Sequence, residues 1–328
     1  MEISDFGFWI SDLPPVPPQD KLSQQLTKEG VTMKSTLTDY AGYPCLKLDN
    51  GAVSVWLITS AGPRVIGFSL SGGDNVLAVL PELALPTSGN QVYRLRGGHR
   101  LWHSPEDRVR TYVPDDRPPV ISEIENGVRA TQAVESITGI EKHISVTLPD
   151  ERPRAVIEHR LTNHGIWPVE LAPWAITQLK PGGLGILPQP TADTGLLPNR
   201  RLTLWPYTQI NSPHIHWGDR FIFIDANLGD EALKIGWANS DGWLAYAVDK
   251  TLFVKEAPYQ ADADYFDYGS SSECYCGQAF IELETLGPRV TLQPGESTSH
   301  REVWSLHADV EITADEEAAA RLVAELEL

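Results

Sequence analysis

From about Thr36 onward the chain repeats one pattern: short runs in which apolar and polar residues alternate, rich in β-branched and aromatic side chains and broken by Gly, Pro and Asn-Gly. A period of two with punctuation of this kind predicts antiparallel strands that bury one face. In residues 141–148, Ile144, Val146 and Leu148 alternate with His143, Ser145 and Thr147, so the first set is expected in a core. Further strands are predicted at 52–56, 64–70, 120–124, 128–134, 155–161, 220–225, 232–237, 243–248, 251–255, 278–286, 289–292 and 297–307. Asp49-Asn50-Gly51 and Glu125-Asn126-Gly127 predict hairpin turns. One helix stands out, at the end: Thr313-Ala314-Asp315-Glu316 has capping-box spacing, and Leu322, Val323 and Leu326 form an apolar stripe, as a lid or brace would need. Residues 1–30 read as an arm packed on the domain, because Leu13-Pro14-Pro15-Val16-Pro17-Pro18 favours an extended polyproline path. No linker with a composition break interrupts residues 31–328, so one all-β domain is expected there.

Composition narrows the partners. A 328-residue chain with 41% hydrophobic residues can bury a large core. With 26 basic against 44 acidic residues the net charge is −18, and no separated basic patch offsets it. Nucleic acid and anionic membrane are therefore not expected as partners, whereas small neutral polar ligands are. Met1-Glu2-Ile3-Ser4-Asp5 lacks the features of a signal peptide, and no stretch approaches the roughly 18 apolar residues of a span, so a cytoplasmic protein is expected. Cys45, Cys274 and Cys276 read as free thiols. His214 and His216, in Ser212-Pro213-His214-Ile215-His216-Trp217, could ligate a metal, but no third ligand is evident, so neither metal nor other cofactor is expected.

Candidate chemistry concentrates in two stretches. Leu95-Arg96-Gly97-Gly98-His99-Arg100-Leu101-Trp102-His103-Ser104-Pro105-Glu106 packs cations, imidazoles and an indole behind a glycine pair, which suits a pocket wall. In the strand around Ile281-Glu282-Leu283-Glu284-Thr285, alternation puts Phe280, Glu282, Glu284 and Leu286 on one face. Two carboxylates among apolar neighbours oppose ionisation of both and push a pKa upward. Lys255, in Phe253-Val254-Lys255-Glu256, is either a pocket cation or an exposed strand residue. His143 and His159 are expected on solvated or hydrogen-bonded strand faces.

The order of these features resembles the galactose mutarotase-like superfamily. Ala61-Gly62-Pro63-Arg64-Val65-Ile66-Gly67-Phe68-Ser69-Leu70 is similar to the early "G-x-R-I-x-x-L" hairpin of mutarotases, and Leu95-Arg96-Gly97-Gly98 to the "R-G-G" of hexose-6-phosphate mutarotases. His99-Arg100-Leu101-Trp102 with Pro105-Glu106 is closer still to a mutarotase-like domain family to which no activity is attached. The resemblance implies a large twisted antiparallel β-sandwich that binds an aldose or sugar derivative on a concave sheet face. It implies Arg96 on the ligand side and Glu284, in the "L-E-T" strand of aldose 1-epimerases, as general base; Arg100, Trp102, Trp174, Lys255 and Glu282 are the further candidate binding residues read from the sequence. The family's acid histidine is missing: Pro168-Val169-Glu170-Leu171-Ala172-Pro173-Trp174 puts Trp174 in its place, and a register two residues longer lands on Ile176. Leu161-Thr162-Asn163-His164 spells the acid's motif but falls one strand early, at an expected turn. A substitute acid is then expected from His99, His103, His214 or His216, with His99 the preferred one. Three functions stay open: a weak aldose 1-epimerase-like isomerase, a non-catalytic sugar-binding or sensor domain, and a polysaccharide lyase-like enzyme using Tyr93 with Arg94.

Overall fold

The structure, a computed structural model, describes residues 25–28, 31–87 and 91–328; residues 1–24, which hold most of the expected arm, lie outside it. Within the described residues the strands form a 12-stranded sheet, a 10-stranded sheet and a two-stranded ribbon. The sheet ladders are antiparallel, as the alternating pattern requires. Two sheets with apolar inner faces bury them against each other. Phe68 of the larger sheet meets Phe253 and Trp304 of the smaller, with ring centroids 6.2 Å and 5.6 Å apart. Ile144, Val146 and Leu148 are fully buried on this inner layer, and Leu48, Val55 and Ile157 join them.

The turn signals act through identifiable atoms. Asn50 closes its hairpin by accepting at Oδ1 from the backbone N–H groups of Ala52 and Val53, at 3.0 Å and 2.8 Å. Asn126 takes the left-handed conformation (φ 53°) that asparagine tolerates. The glycine-led stretch differs from its expectation as a single wall. It forms two strands, Val92–Gly97 and His99–Ser104, which pair with different neighbours. Its glycines serve the backbone: a Cβ on Gly97 would stand 2.1 Å from the Ala78 carbonyl oxygen, and one on Gly98 2.1 Å from that of Val65.

The terminal helix runs Glu316–Leu326 and is capped by Asp315, whose side chain accepts from Ala318 N at 2.7 Å, rather than by Thr313. Ala319 and Leu322 lie against Phe221 and Trp243, so the helix braces the outer face of the smaller sheet. Among the described residues no helix is long and apolar enough to cross a membrane.

Candidate functional site

Five strands at the centre of the larger sheet build the site, side by side in the order His99–Ser104, Val169–Leu179, Ile281–Leu286, Ser272–Cys276 and Leu233–Trp237. Residues paired directly across antiparallel strands share a face. The register pairs Trp102 with Trp174, Arg100 with Ile176, Ile176 with Glu284, Gln178 with Glu282, Glu284 with Glu273, and Glu282 with Tyr275 and so with Lys234. All of these side chains therefore point away from the smaller sheet. One residue along, His99, Thr177 and Thr285 point into the sandwich.

Over the outward face lies a cavity of about 950 Å³, floored by Trp174, Lys234 and Glu273 and walled by Glu106, Tyr112, Trp205 and Asp267. A second lobe of about 410 Å³ shares Trp174, Lys234, Glu106 and Tyr112, and adds Arg100, Trp102 and Glu282. An apolar cluster of Tyr93, Leu95, Trp102, Trp174 and Leu286 packs on this outward face. Both lobes have the size and mixed lining of small-ligand sites.

Glu284 is fully buried beneath the floor and lines neither lobe. Its Oε2 accepts from Trp174 Nε1 at 2.6 Å and from Lys234 Nζ at 3.0 Å. Lys234 Nζ also lies 2.7 Å from Glu273 Oε2, and 4.8 Å and 4.7 Å from the ring centroids of Trp174 and Trp205. Burial pulls the Lys234 pKa down, but Glu273 and Glu284 outweigh it and hold the ammonium well above its ordinary range. Burial drives the Glu273 pKa well up; Lys234 opposes this, and Glu284 and Asp267 reinforce it. Asp267 is raised too, chiefly by burial. Beside this group, Glu282 Oε1 accepts from Arg100 and Gln178, each at 3.0 Å, and the Arg100 guanidinium lies 4.1 Å over the Trp102 ring. Burial raises the Glu282 pKa against the pull of Arg100. No donor among the described residues reaches Glu284 Oε1 or Glu273 Oε1, and Gln178 Oε1 and Arg100 Nη1 are likewise unpartnered. Of these, Glu273 and Arg100 line the two lobes, so their unpartnered atoms are positions a polar ligand can satisfy.

Of the residues singled out in the sequence, Arg100, Trp102, Trp174, Glu282 and Glu284 come together on this face. Three do not. His99 is fully buried on the inner face, with Nε2 2.7 Å from His159 Nε2 and Nδ1 2.9 Å from Thr177 Oγ1. His159 Nδ1–H donates to His300 O at 3.0 Å, which leaves its Nε2 to accept from His99. Burial holds His99 and His159 below their ordinary pKa, as neutral rings. His99 therefore cannot hand a proton to a ligand in the cavity. Lys255 is neither pocket cation nor exposed: it is fully buried between the sheets, 3.0 Å from Glu302 Oε1 and donating to Leu283 O at 2.9 Å. Arg96, buried at φ 55°, is consumed by Asp115 (2.7 Å) and Asp116 and does not line the cavity.

The lyase pairing is also spent. Tyr93 Oη contacts Arg64 at 2.9 Å and Trp102 Nε1 at 3.0 Å, and Arg94 pairs with Asp116 at 3.1 Å. His103 is buried, His164 sits half-exposed beyond its strand near Glu141, and His216 lies on the edge strand of the smaller sheet with His214 in the turn just before it.

The residues missed in the sequence are Lys234, Glu273, Asp267 and Trp205. Lys234 between Leu233 and Ile235, and Glu273 at the head of the run Cys274-Tyr275-Cys276, are charges set in apolar strands, a signal that was there to be used.

No family model and no curated protein sequence matches the chain. Solved structures do. A galactose mutarotase-like protein from Lactobacillus casei superposes with a TM-score of 0.52 at 12% identity, over 80% of this chain and all of that one. The fold is galactose mutarotase-like. A galactose mutarotase related enzyme from Lactobacillus acidophilus matches with a TM-score of 0.50 at 8% identity, over 83% and 100% of the two chains. A TPR-domain containing protein from Parabacteroides distasonis gives 0.57 at 15% identity over 90% of this chain, which spans about half of that one (54%). At such identities the likeness is one of fold, and function has to be argued from the site.

Proposed function

We propose that the outward cavity binds a monosaccharide and that the chain is a carbohydrate-binding, mutarotase-like protein with at most weak aldose 1-epimerase-type turnover. The observation that carries this reading is the convergence of Trp174, Lys234 and Glu273 at the floor of a cavity of about 950 Å³, with Glu284 bonded to Trp174 and Lys234 beneath them. Sugars present hydroxyl donors and acceptors around an apolar ring face, and this floor offers unpartnered carboxylate oxygens beside indole. Trp174 acts as a wall whose N–H is already committed to Glu284, with Lys234 over its ring.

Mutarotation asks a base to take the anomeric hydroxyl proton while an acid protonates the ring oxygen; the ring opens to the aldehyde and recloses from either side. Glu284 is the base in this proposal. Glu273, whose burial favours the protonated form, replaces His99 as the acid. Turnover is weak because Glu284 is engaged by Lys234 at 3.0 Å and by Trp174 at 2.6 Å and has no exposed surface. Isothermal titration with free aldoses tests the reading: binding that is lost in a folded Trp174→Ala variant supports it, and unchanged affinity in that variant removes the site from this cavity.

A further inference from the structure

The cavity floor has an excess of acceptors over donors. Lys234 is the single ammonium set between two buried carboxylates, Glu273 at 2.7 Å and Glu284 at 3.0 Å. Each keeps an oxygen, Oε1, with no donor among the described residues, and both side chains are fully buried. Asp267 adds a third carboxyl that interacts with Glu273, and Glu106 a fourth on the wall. Of the other cations, Arg100 is answered by Glu282 at 3.0 Å and faced by the Trp102 ring, and Arg108 is an exposed wall residue beside Asp107, so carboxyls still outnumber cations around the cavity. Arg96, which would have served a phosphate, is held by Asp115 and Asp116 outside the cavity.

Such a floor repels phosphate and uronate and favours a ligand that brings a positive charge. We infer that the preferred ligand is an amine-bearing sugar, with its ammonium directed at Glu273 and Asp267. This rests on the monosaccharide-binding reading above and adds the charge class of the ligand. An ammonium supplies three donors, enough for the unpartnered Glu273 oxygen and for Asp267, and its charge draws these two raised carboxyls into their ionised forms. A hydroxyl supplies one donor and no charge. Asp267 is itself left-handed (φ 49°), as are Tyr268 and Gly269 after it (φ 58° and 85°), so the chain bends sharply at the cavity wall.

The test is isothermal titration of the full chain with D-glucosamine, N-acetyl-D-glucosamine, D-glucose, D-glucuronate and D-glucose 6-phosphate at one ionic strength. The expected order puts glucosamine at least about tenfold tighter than glucose and than its acetylated form, a difference of about 1.4 kcal/mol, with the two anions weakest. Glu273→Gln, which keeps the shape, and Asp267→Asn should each narrow the glucosamine-to-glucose ratio to within about threefold, by weakening glucosamine more than glucose. Equal affinity for glucosamine and N-acetylglucosamine, tighter binding of either anion, or a ratio unchanged in both variants would overturn the inference. Glucose binding without an amine preference leaves the sugar-binding reading standing and defeats only this one; absence of binding by all five defeats both.

Discussion

Trp174 and Glu284, 110 residues apart in sequence, meet as diagonal neighbours on adjacent strands and share a 2.6 Å hydrogen bond from indole N–H to carboxylate. The proposed wall of the sugar site is thus bonded to the proposed base. Trp174→Phe keeps a ring but deletes the donor, leaving a fully buried carboxylate with Lys234 as its remaining partner. A loss of about 1–3 kcal/mol in chemical denaturation is expected, with weaker sugar binding. Unchanged stability would mean that the bond contributes nothing.

Lys255 and Glu302 form a charge pair fully buried between the sheets. Removing one partner strands the other, so Lys255→Met is expected to cost about 3–5 kcal/mol, and the double variant Lys255→Met with Glu302→Gln should recover much of it. Sugar affinity in the folded double variant should match the parent, because both residues lie on the far side of the sheet from the cavity. A tenfold fall in affinity there would place Lys255 back among the binding residues.

The inner histidines set a pH dependence. His99, His159 and His300 have folded pKa values pushed below the ordinary value by burial, His300 to about 3. The unfolded chain then binds more protons than the folded one below about pH 6.5, so stability falls as pH falls, by up to about 1.4 kcal/mol per pH unit for each histidine. Glu302, held low against its burial by Lys255 and the histidines, extends the loss below the usual carboxylate range. Glu273, raised, has the opposite sign: its contribution is present at acid pH and lost as pH rises through its folded value. Urea midpoints should therefore drop steadily from pH 7 to pH 4, with a shallower slope in His300→Gln. A flat profile would contradict the neutral-histidine cluster.

Polarimetry on glucose and galactose should show little acceleration over spontaneous mutarotation. A general acid or base contributes roughly 10²–10⁴-fold, so whatever catalysis exists should fall to background in Glu284→Gln and in Glu273→Gln. It should persist in folded His99→Gln. Efficient turnover that survives both glutamate variants would refute the acid–base assignment.

How much of this was readable in the chain depends on the range of the interaction. Strands such as 120–124 and 243–248 appear where the alternation puts them, because side-chain period and turn residues are local. Glu282 and Glu284 sharing a face was legible for the same reason. The stretch from Arg96 to Trp102 misled because charge density does not encode which face of a strand a residue takes: Arg100 and Trp102 face the cavity, His99 the opposite layer. Asp115 and Asp116, which consume Arg96, come from a separate segment that no local pattern joins to it. Lys234 and Glu273 become site residues only through the pairing of three strands, a long-range fact.

A crystal of the full chain soaked with a monosaccharide tests the central claim most directly. The account predicts a sugar ring against Trp174 with hydroxyl or amino groups within hydrogen-bond distance of Glu273 and Glu284. Sugar bound elsewhere on the molecule, with this cavity unchanged at saturating concentration, would contradict it.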